Sequence, residues 1–253
     1  MRYFIQLAYL GTPFFGWQRQ PDQISVQEVL EEALSTILRT PTTITGAGRT
    51  DTGVHATDMW AHFDMVDTYT KLNSEKLTYK LNSYLDQNIA IKTIVPVSNE
   101  AHARFDALSR SYIYKICAVK DPFRTNKAYY LKTPLAINAM NEACEILKSY
   151  EDFECFSKVK TNVKTYLCRI SEAYWFQENE MLYFSISANR FLRNMVRAIV
   201  GTLIDVGLQK KEPNWLHELI QSKSRSIAGT SVPAHGLYLT EVKYPKNLFL
   251  ENE

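Results

Sequence analysis

The chain reads as an α+β protein. In residues 2–97, segments with a two-residue apolar repeat alternate with segments of helical repeat. They run strand, helix, strand, strand, helix, strand, the order of a split βαβ unit of ferredoxin type. From residue 111 a loosely similar order returns, which allows a duplicated architecture. The 253 residues are enough for one large domain or two small ones with real cores.

The elements follow from local pattern. Tyr3, Ile5, Leu7 and Tyr9 alternate with Phe4, Gln6 and Ala8, which predicts a strand over 2–10 that Gly11-Thr12-Pro13 breaks. Phe14 to Gln20 reads as a loop, in which Arg19 is either a solvated side chain or a phosphate contact. Ser25 and Glu28 form a capping-box pair, and Val26, Val29, Leu30, Ala33, Leu34, Ile37 and Leu38 give one helical face. Thr42 to Thr45 reads as a short strand. Trp60 to Met65 alternates as another strand, residues 74–84 as a helix and Ile89 to Val97 as a strand. In the second half the spacing predicts a strand over 111–120, with Tyr112, Tyr114 and Ile116 on one face. A helix over 137–148 follows, then a basic loop over 158–164 that is either solvated or an RNA contact. Next come an antiparallel pair, 170–176 and 181–188, turning at Glu178-Asn179-Glu180, and a long helix over 189–206. A helix over 213–222 and a closing strand over 237–244 complete the chain.

Composition excludes several classes. The chain holds no run of eighteen apolar residues, and its amino terminus reads as a strand without a long apolar signal core, so a cytoplasmic protein with no membrane span is expected. The four cysteines are far apart and unpaired in spacing, which argues for free thiols and against zinc. A net charge of +2 does not by itself indicate nucleic-acid binding, although cations gathered on one face would suffice.

The densest chemical signal is Gly46-Ala47-Gly48-Arg49-Thr50-Asp51-Thr52-Gly53-Val54-His55-Ala56, with three of the chain's nine glycines. Lys and Ser/Thr do not follow its last glycine, so it is not a phosphate-binding P-loop. An acid at position 51 would repel a dinucleotide's pyrophosphate. It reads as a shaped loop between strands that presents a carboxylate, or as a tight turn with a salt-bridged aspartate. His55 is expected to be a hydrogen-bonded structural residue rather than a metal ligand. Further on, Arg190, Arg193 and Arg197 fall at helical spacing on one face of the 189–206 segment, opposite an apolar side.

Residues 46–55 resemble the catalytic loop of the tRNA pseudouridine synthase A family, whose core is Gly-Arg-Thr-Asp-x-Gly-Val-His. Phe15-Gly16-Trp17-Gln18-Arg19-Gln20 with Ser25-Val26-Gln27 resembles its amino-terminal signature. His102-Ala103-Arg104-Phe105 leading to Arg110-Ser111-Tyr112-Ile113-Tyr114 resembles its second motif. Asn189 through Met195-Val196-Arg197 to Val200-Gly201 resembles the third, and Gly236-Leu237-Tyr238-Leu239 the closing strand. Thr52 stands where Ala is more usual, and Leu85-Asp86 where Leu-Pro is frequent. The resemblance implies two ferredoxin-like α/β halves, 1–106 and 107–253. It also implies a continuous, mainly antiparallel sheet with helices on one face and an active-site cleft between the halves.

The activity implied is isomerisation of uridine to pseudouridine at positions 38, 39 and 40 of the tRNA anticodon stem-loop, by a homodimer whose subunits are both bridged by each tRNA. The N1–C1′ bond breaks, the uracil turns, and C5 bonds to C1′ with loss of the C5 proton. No oxidant, metal or cofactor is needed. The resemblance makes Asp51 the catalytic carboxylate, attacking C6 or C1′ or removing a sugar proton, and Arg197 its counter-charge. At about 4 Å and an effective dielectric near 20 such a pair attracts by roughly 4 kcal/mol before desolvation. Arg49 either holds the flipped nucleotide's phosphate or staples the loop. Tyr112 takes the position of a tyrosine packed against the uracil, which must leave the base stack to react, although by pattern alone it reads equally as a core tyrosine beside Tyr114 and Ile116. Arg104 and Arg110 are candidates for backbone phosphates, and Leu239 for the pocket wall or the core. A non-catalytic RNA-binding module on the same fold is the alternative, and would leave Asp51 dispensable. A glycoside hydrolase would need a second carboxylate, for which Asp58 is nearest.

Overall fold

The computed structural model describes residues 1–65, 72–158 and 163–250 of a mixed α/β protein. Residues 159–162 of the expected basic loop lie outside the described residues. The chain forms two compact units, one of residues 1–108 with 239–253 and one of residues 109–238.

The first unit contains β1 (Arg2–Tyr9), α1 (Val26–Leu38), β2 (Thr45–Gly46), β3 (His55–Asp64), α2 (Ser74–Tyr84) and β4 (Ile89–Val97). β1 is central, antiparallel to β3 and to β4, with Phe4 in register with His62 on one side and Val95 on the other. Its two faces are buried unequally. Tyr3, Ile5 and Leu7 share one, while Phe4 on the other joins Val97, Ala101 and Ala103, with Trp60, Tyr244 and Phe249 packed around them. Helix α1 buries Val26, Leu30, Ala33 and Leu34, and α2 buries Leu77 and Leu81. Only the serine half of the expected capping box is formed as such: Ser25 Oγ accepts from Glu28 N at 3.2 Å, and the Glu28 carboxylate lies 3.4 Å from Arg19. The expected 42–45 strand shrinks to the two residues of β2, paired with Ala61 and His62 of β3.

The second unit contains β5 (Ser109–Cys117), β6 (Tyr129–Tyr130), α3 (Ile137–Lys148), β7 (Ile170–Glu178), β8 (Met181–Ala188), α4 (Met195–Gly207) and α5 (Trp215–Ser222). β8 lies between β5 and β7, antiparallel to both, and the hairpin turns at Asn179, whose φ is +54°. The side-chain amide of Asn141 on α3 brackets the Trp175 backbone, accepting from its N–H at 2.7 Å and donating to its carbonyl at 3.1 Å. β9 (Leu237–Lys243) closes the chain. The sequence order placed it in the second half, but from Leu239 onward it belongs to the first unit, beside β3.

The long helix differs from expectation. It begins at Met195, not Asn189, because Asn194 adopts a φ of +66°, which an α-helix does not admit. Arg190 and Arg193 therefore precede it, and the predicted face of three arginines does not exist. Arg190 donates to the Thr165 carbonyl at 3.2 Å. Nor does α4 have a broad wet side, since eleven of its thirteen residues are buried.

The segment joining β4 to β5 hangs on two imidazoles. Ala103 N donates to His62 Nδ1 at 3.1 Å, and Arg104 N donates to His102 Nδ1 at 3.1 Å. Burial, then the charges of Arg2 and His102, push His62 down to about 4. Its unfolded value is near 6.5, so between these values the unfolded chain binds the proton first. Stability should therefore be full above pH 6.5 and fall as pH drops towards 4. Urea unfolding between pH 7 and 5 would measure this, and His62→Gln, which keeps an acceptor but does not titrate, should flatten the slope.

Candidate active site

The loop between β2 and β3 is fixed by a neighbouring stretch of backbone. Ala47 N donates to Trp60 O at 2.7 Å, Val54 N closes back on Asp51 O at 3.1 Å, and Ala47, Val54 and His55 are buried. Between these anchors, residues 48–53 emerge towards solvent, and Asp51 is half-buried. The segment 11–17 lies against them. Trp17 N donates to Thr50 O at 3.3 Å, Gly53 N donates to Phe14 O at 3.4 Å, and Tyr9 Oη lies 2.9 Å from Thr50 Oγ1. The same segment serves helix α1, because Gly16 O and Trp17 O accept from Val26 N and Gln27 N, two of the helix's otherwise orphaned amides.

This contact explains which glycines matter. Gly16 has φ +87°, and a Cβ there would sit 2.4 Å from Thr50 O. A Cβ on Gly11 would meet Val54 O at 2.0 Å, and one on Gly46 would enter the Trp17 indole at 2.5 Å. Within the loop only Gly53 has positive φ, at +78°, and Gly48 faces open space. His55 is fully buried and accepts from Gly11 N through Nδ1 at 2.9 Å, the structural role expected of it.

Arg49 is exposed, and its Nε donates to Gln18 Oε1 at 3.2 Å. Behind it runs a relay that spacing did not reveal. Gln18 Nε2 donates to Gln27 Oε1 at 2.8 Å, and Gln27 Nε2 donates to Glu31 Oε1 at 3.0 Å. Glu31 is buried on α1 and also accepts from Ile44 N at 3.0 Å. Arg19 lies 3.4 Å from Glu31, so part of its charge is answered within the protein. Arg49 and Arg104 both line a cavity of about 120 Å³, with Trp17, Gln18 and Gln27, so the structure brings these two candidates together. Leu239 is buried on β9, where its carbonyl lies 3.4 Å from Thr57 Oγ1. Asp58 is occupied at both oxygens, by Gln6 Nε2 at 2.6 Å and Val242 N at 3.0 Å, so it serves the sheet.

The remaining candidates stand in the second unit. Tyr112 on β5 is half-buried, with the Phe191 ring edge-on at 5.2 Å. Arg110 Nη1 donates to Asn189 O at 3.0 Å. Both thus touch the 189–191 segment that leads into α4. Arg197 is the third residue of that helix, and its Nε donates to Val232 O at 2.8 Å while Val232 N returns a bond to Arg197 O at 3.2 Å. Tyr114, two residues from Tyr112, is wholly buried and donates to Pro233 O at 2.9 Å.

A family model described as tRNA pseudouridine synthase matches residues 6–106 and 143–245. The chain is 52% identical to the tRNA pseudouridine synthase A of Parabacteroides distasonis over 98% of both chains. It is 50% identical to that of Porphyromonas gingivalis, over 98% of this chain and 99% of the relative. It is 38% identical to that of Caldicellulosiruptor bescii, over 95% and 98%.

Two substitutions test the scaffold. Gly16→Ala imposes a strained φ and a backbone clash, and should cost on the order of 2–3 kcal/mol in equilibrium unfolding. Glu31→Ala removes the acceptor of Ile44 N and one of the two acceptors of Gln27 Nε2, which keeps Ile44 O, and should cost about 2 kcal/mol by the same measurement.

Proposed function

The chain belongs to the tRNA pseudouridine synthase family, and from that membership we propose that it isomerises uridine to pseudouridine at positions 38, 39 and 40 of the tRNA anticodon arm, with Asp51 as the catalytic carboxylate. It is an isomerase acting on tRNA. The observation that carries the finer reading is the 46–55 loop, which combines the family's motif with a backbone pinned on both sides of a half-buried aspartate. A carboxylate so mounted is held ready before substrate arrives, which is where much of the catalytic advantage of a fixed charged group lies.

In this reading the target uridine leaves the stack and meets Asp51. The N1–C1′ bond breaks, the uracil turns, C5 bonds to C1′, the C5 proton is lost and N1 takes one up. Arg197 is the counter-charge that keeps Asp51 ionised and oriented beside RNA phosphates. Its bond to Val232 O supports the role by fixing the side chain through Nε. Tyr112 packs against the uracil. Arg49 and Arg104 take backbone phosphates, which their shared cavity supports, and Arg110 takes another. Leu239 contributes to the pocket wall. The engagement of Asp58 by Gln6 and Val242 disfavours a glycoside hydrolase, which would need a second available carboxylate. The reading includes a homodimer that each tRNA bridges, and a cytoplasmic location. Among the described residues, no helix is long and apolar enough to cross a membrane.

The test is tritium release from unmodified tRNA labelled at uridine C5, followed by mapping of the modified positions. Wild type should release tritium from the anticodon arm. Asp51→Ala should release none, while still folding and binding tRNA. Isomerisation by that variant would remove Asp51 from the chemistry, and binding without release by wild type would favour the binding-module alternative. Arg197→Ala should lower kcat far more than tRNA affinity, and an equal loss of both would make Arg197 an RNA contact.

A further inference from the structure

We propose that the lobe between β5 and β6 is a second RNA-contact surface, on which an unstacked base of the tRNA packs against Phe123 while Lys120, Lys127 and Lys132 engage the adjoining phosphates. The proposal rests on the tRNA reading above and concerns a surface to which that reading gives no role.

The lobe is closed at its base by parallel pairing of Ile116 and Cys117 with Tyr129 and Tyr130, and by Leu131 N donating to Cys117 O at 3.0 Å. The lobe is held from within. The Asp121 carboxylate accepts from Phe123 N at 2.9 Å and pairs with Arg124 Nε at 3.0 Å. Arg124 N donates to Asp121 O at 3.1 Å, and Arg124 O accepts from Lys127 N at 3.0 Å and Ala128 N at 3.1 Å. It is also held from below. Tyr238 Oη donates to Lys127 O at 2.7 Å, Arg124 Nη1 lies 3.0 Å from Met181 Sδ, and Cys117, Ala128 and Met181 form a small buried cluster beneath.

On this rigid base stands Phe123, 86% exposed, the most exposed large hydrophobic side chain among the described residues. Its backbone is already ordered, so a partner's flat apolar face would have only the ring's own torsions to restrict. The charge around it selects the partner. Residues 115–132 carry five cations, Lys115, Lys120, Arg124, Lys127 and Lys132, and one acid, Asp121, in a chain whose whole net charge is +2. That acid is already paired with Arg124. A second copy of this surface meeting it across a two-fold axis would set cations against cations. A polyanion with stackable bases satisfies both features, because base–aromatic stacking tolerates any sequence and phosphates answer the lysines.

The experiment compares tRNA affinity, tritium release and sedimentation for wild type, Phe123→Ala, Phe123→Trp and the triple variant Lys120→Glu/Lys127→Glu/Lys132→Glu. Each substituted side chain is exposed, so the variants should fold as wild type does. Phe123→Ala should weaken tRNA binding about tenfold, with the loss appearing in KM, and Phe123→Trp should restore it. The triple variant should flatten the slope of log affinity against log salt by about 2. Unchanged affinity and slope in variants of an enzyme whose wild type releases tritium would overturn the lobe's role and leave the function standing. Loss of self-association by Phe123→Ala, with monomer affinity for tRNA intact, would make the lobe a protein interface and overturn it too. Wild type that neither binds nor modifies tRNA would overturn both readings.

Discussion

The close approach of segment 11–17 to the loop after β2 is the contact on which the site depends. Gly16 can lie against Thr50 O only because it lacks a Cβ and takes a φ of +87°. From that position its carbonyl, and that of Trp17, cap the first amides of α1. One short stretch of backbone therefore couples the start of a helix to the loop that carries Asp51. The Gln18–Gln27–Glu31 relay extends the same coupling to side chains, running from a buried acid on α1 to the guanidinium of Arg49. Rigidity at Asp51 thus comes from neighbours outside the loop as much as from its own turns.

Much of this was legible in the sequence. The strands around β1 alternate cleanly, and the glycine-rich loop announced itself by composition and by resemblance. What escaped was tertiary. Gly11 read only as part of a strand breaker and Gly16 only as part of a loop and a family signature, because the atoms they must avoid belong to Val54 and Thr50, far along the chain. Gln18 and Gln27 belonged to a recognised motif, yet their bonding to Glu31 needs the folded geometry. The start of α4 was misplaced because residues 189–194 continue a helical repeat, while the left-handed backbone of Asn194 interrupts it. Pattern reads side-chain spacing and does not register a single residue at positive φ.

Two acids of the first unit show how environment assigns roles to the same side chain. Asp58 spends both oxygens on Gln6 and Val242 and so fixes strands. Asp51 sits on an anchored loop that emerges between buried ends. The candidates in the second unit are likewise sorted by packing. Tyr114 is sunk into the core with its hydroxyl spent on Pro233, whereas Tyr112, two residues earlier, stays half-buried with Phe191 at its edge.

With Asp51 as the catalytic carboxylate we propose, its position, and not merely its charge, is what makes the loop catalytic. The measurement that bears on it most directly is single-turnover tritium release by Asp51→Glu, which keeps the charge and moves it by one methylene, with tRNA affinity measured alongside. A rate reduced by orders of magnitude with unchanged affinity is the predicted result. A rate within a few-fold of wild type would contradict this, because the anchored backbone that carries Asp51 would then have no geometric role in the chemistry.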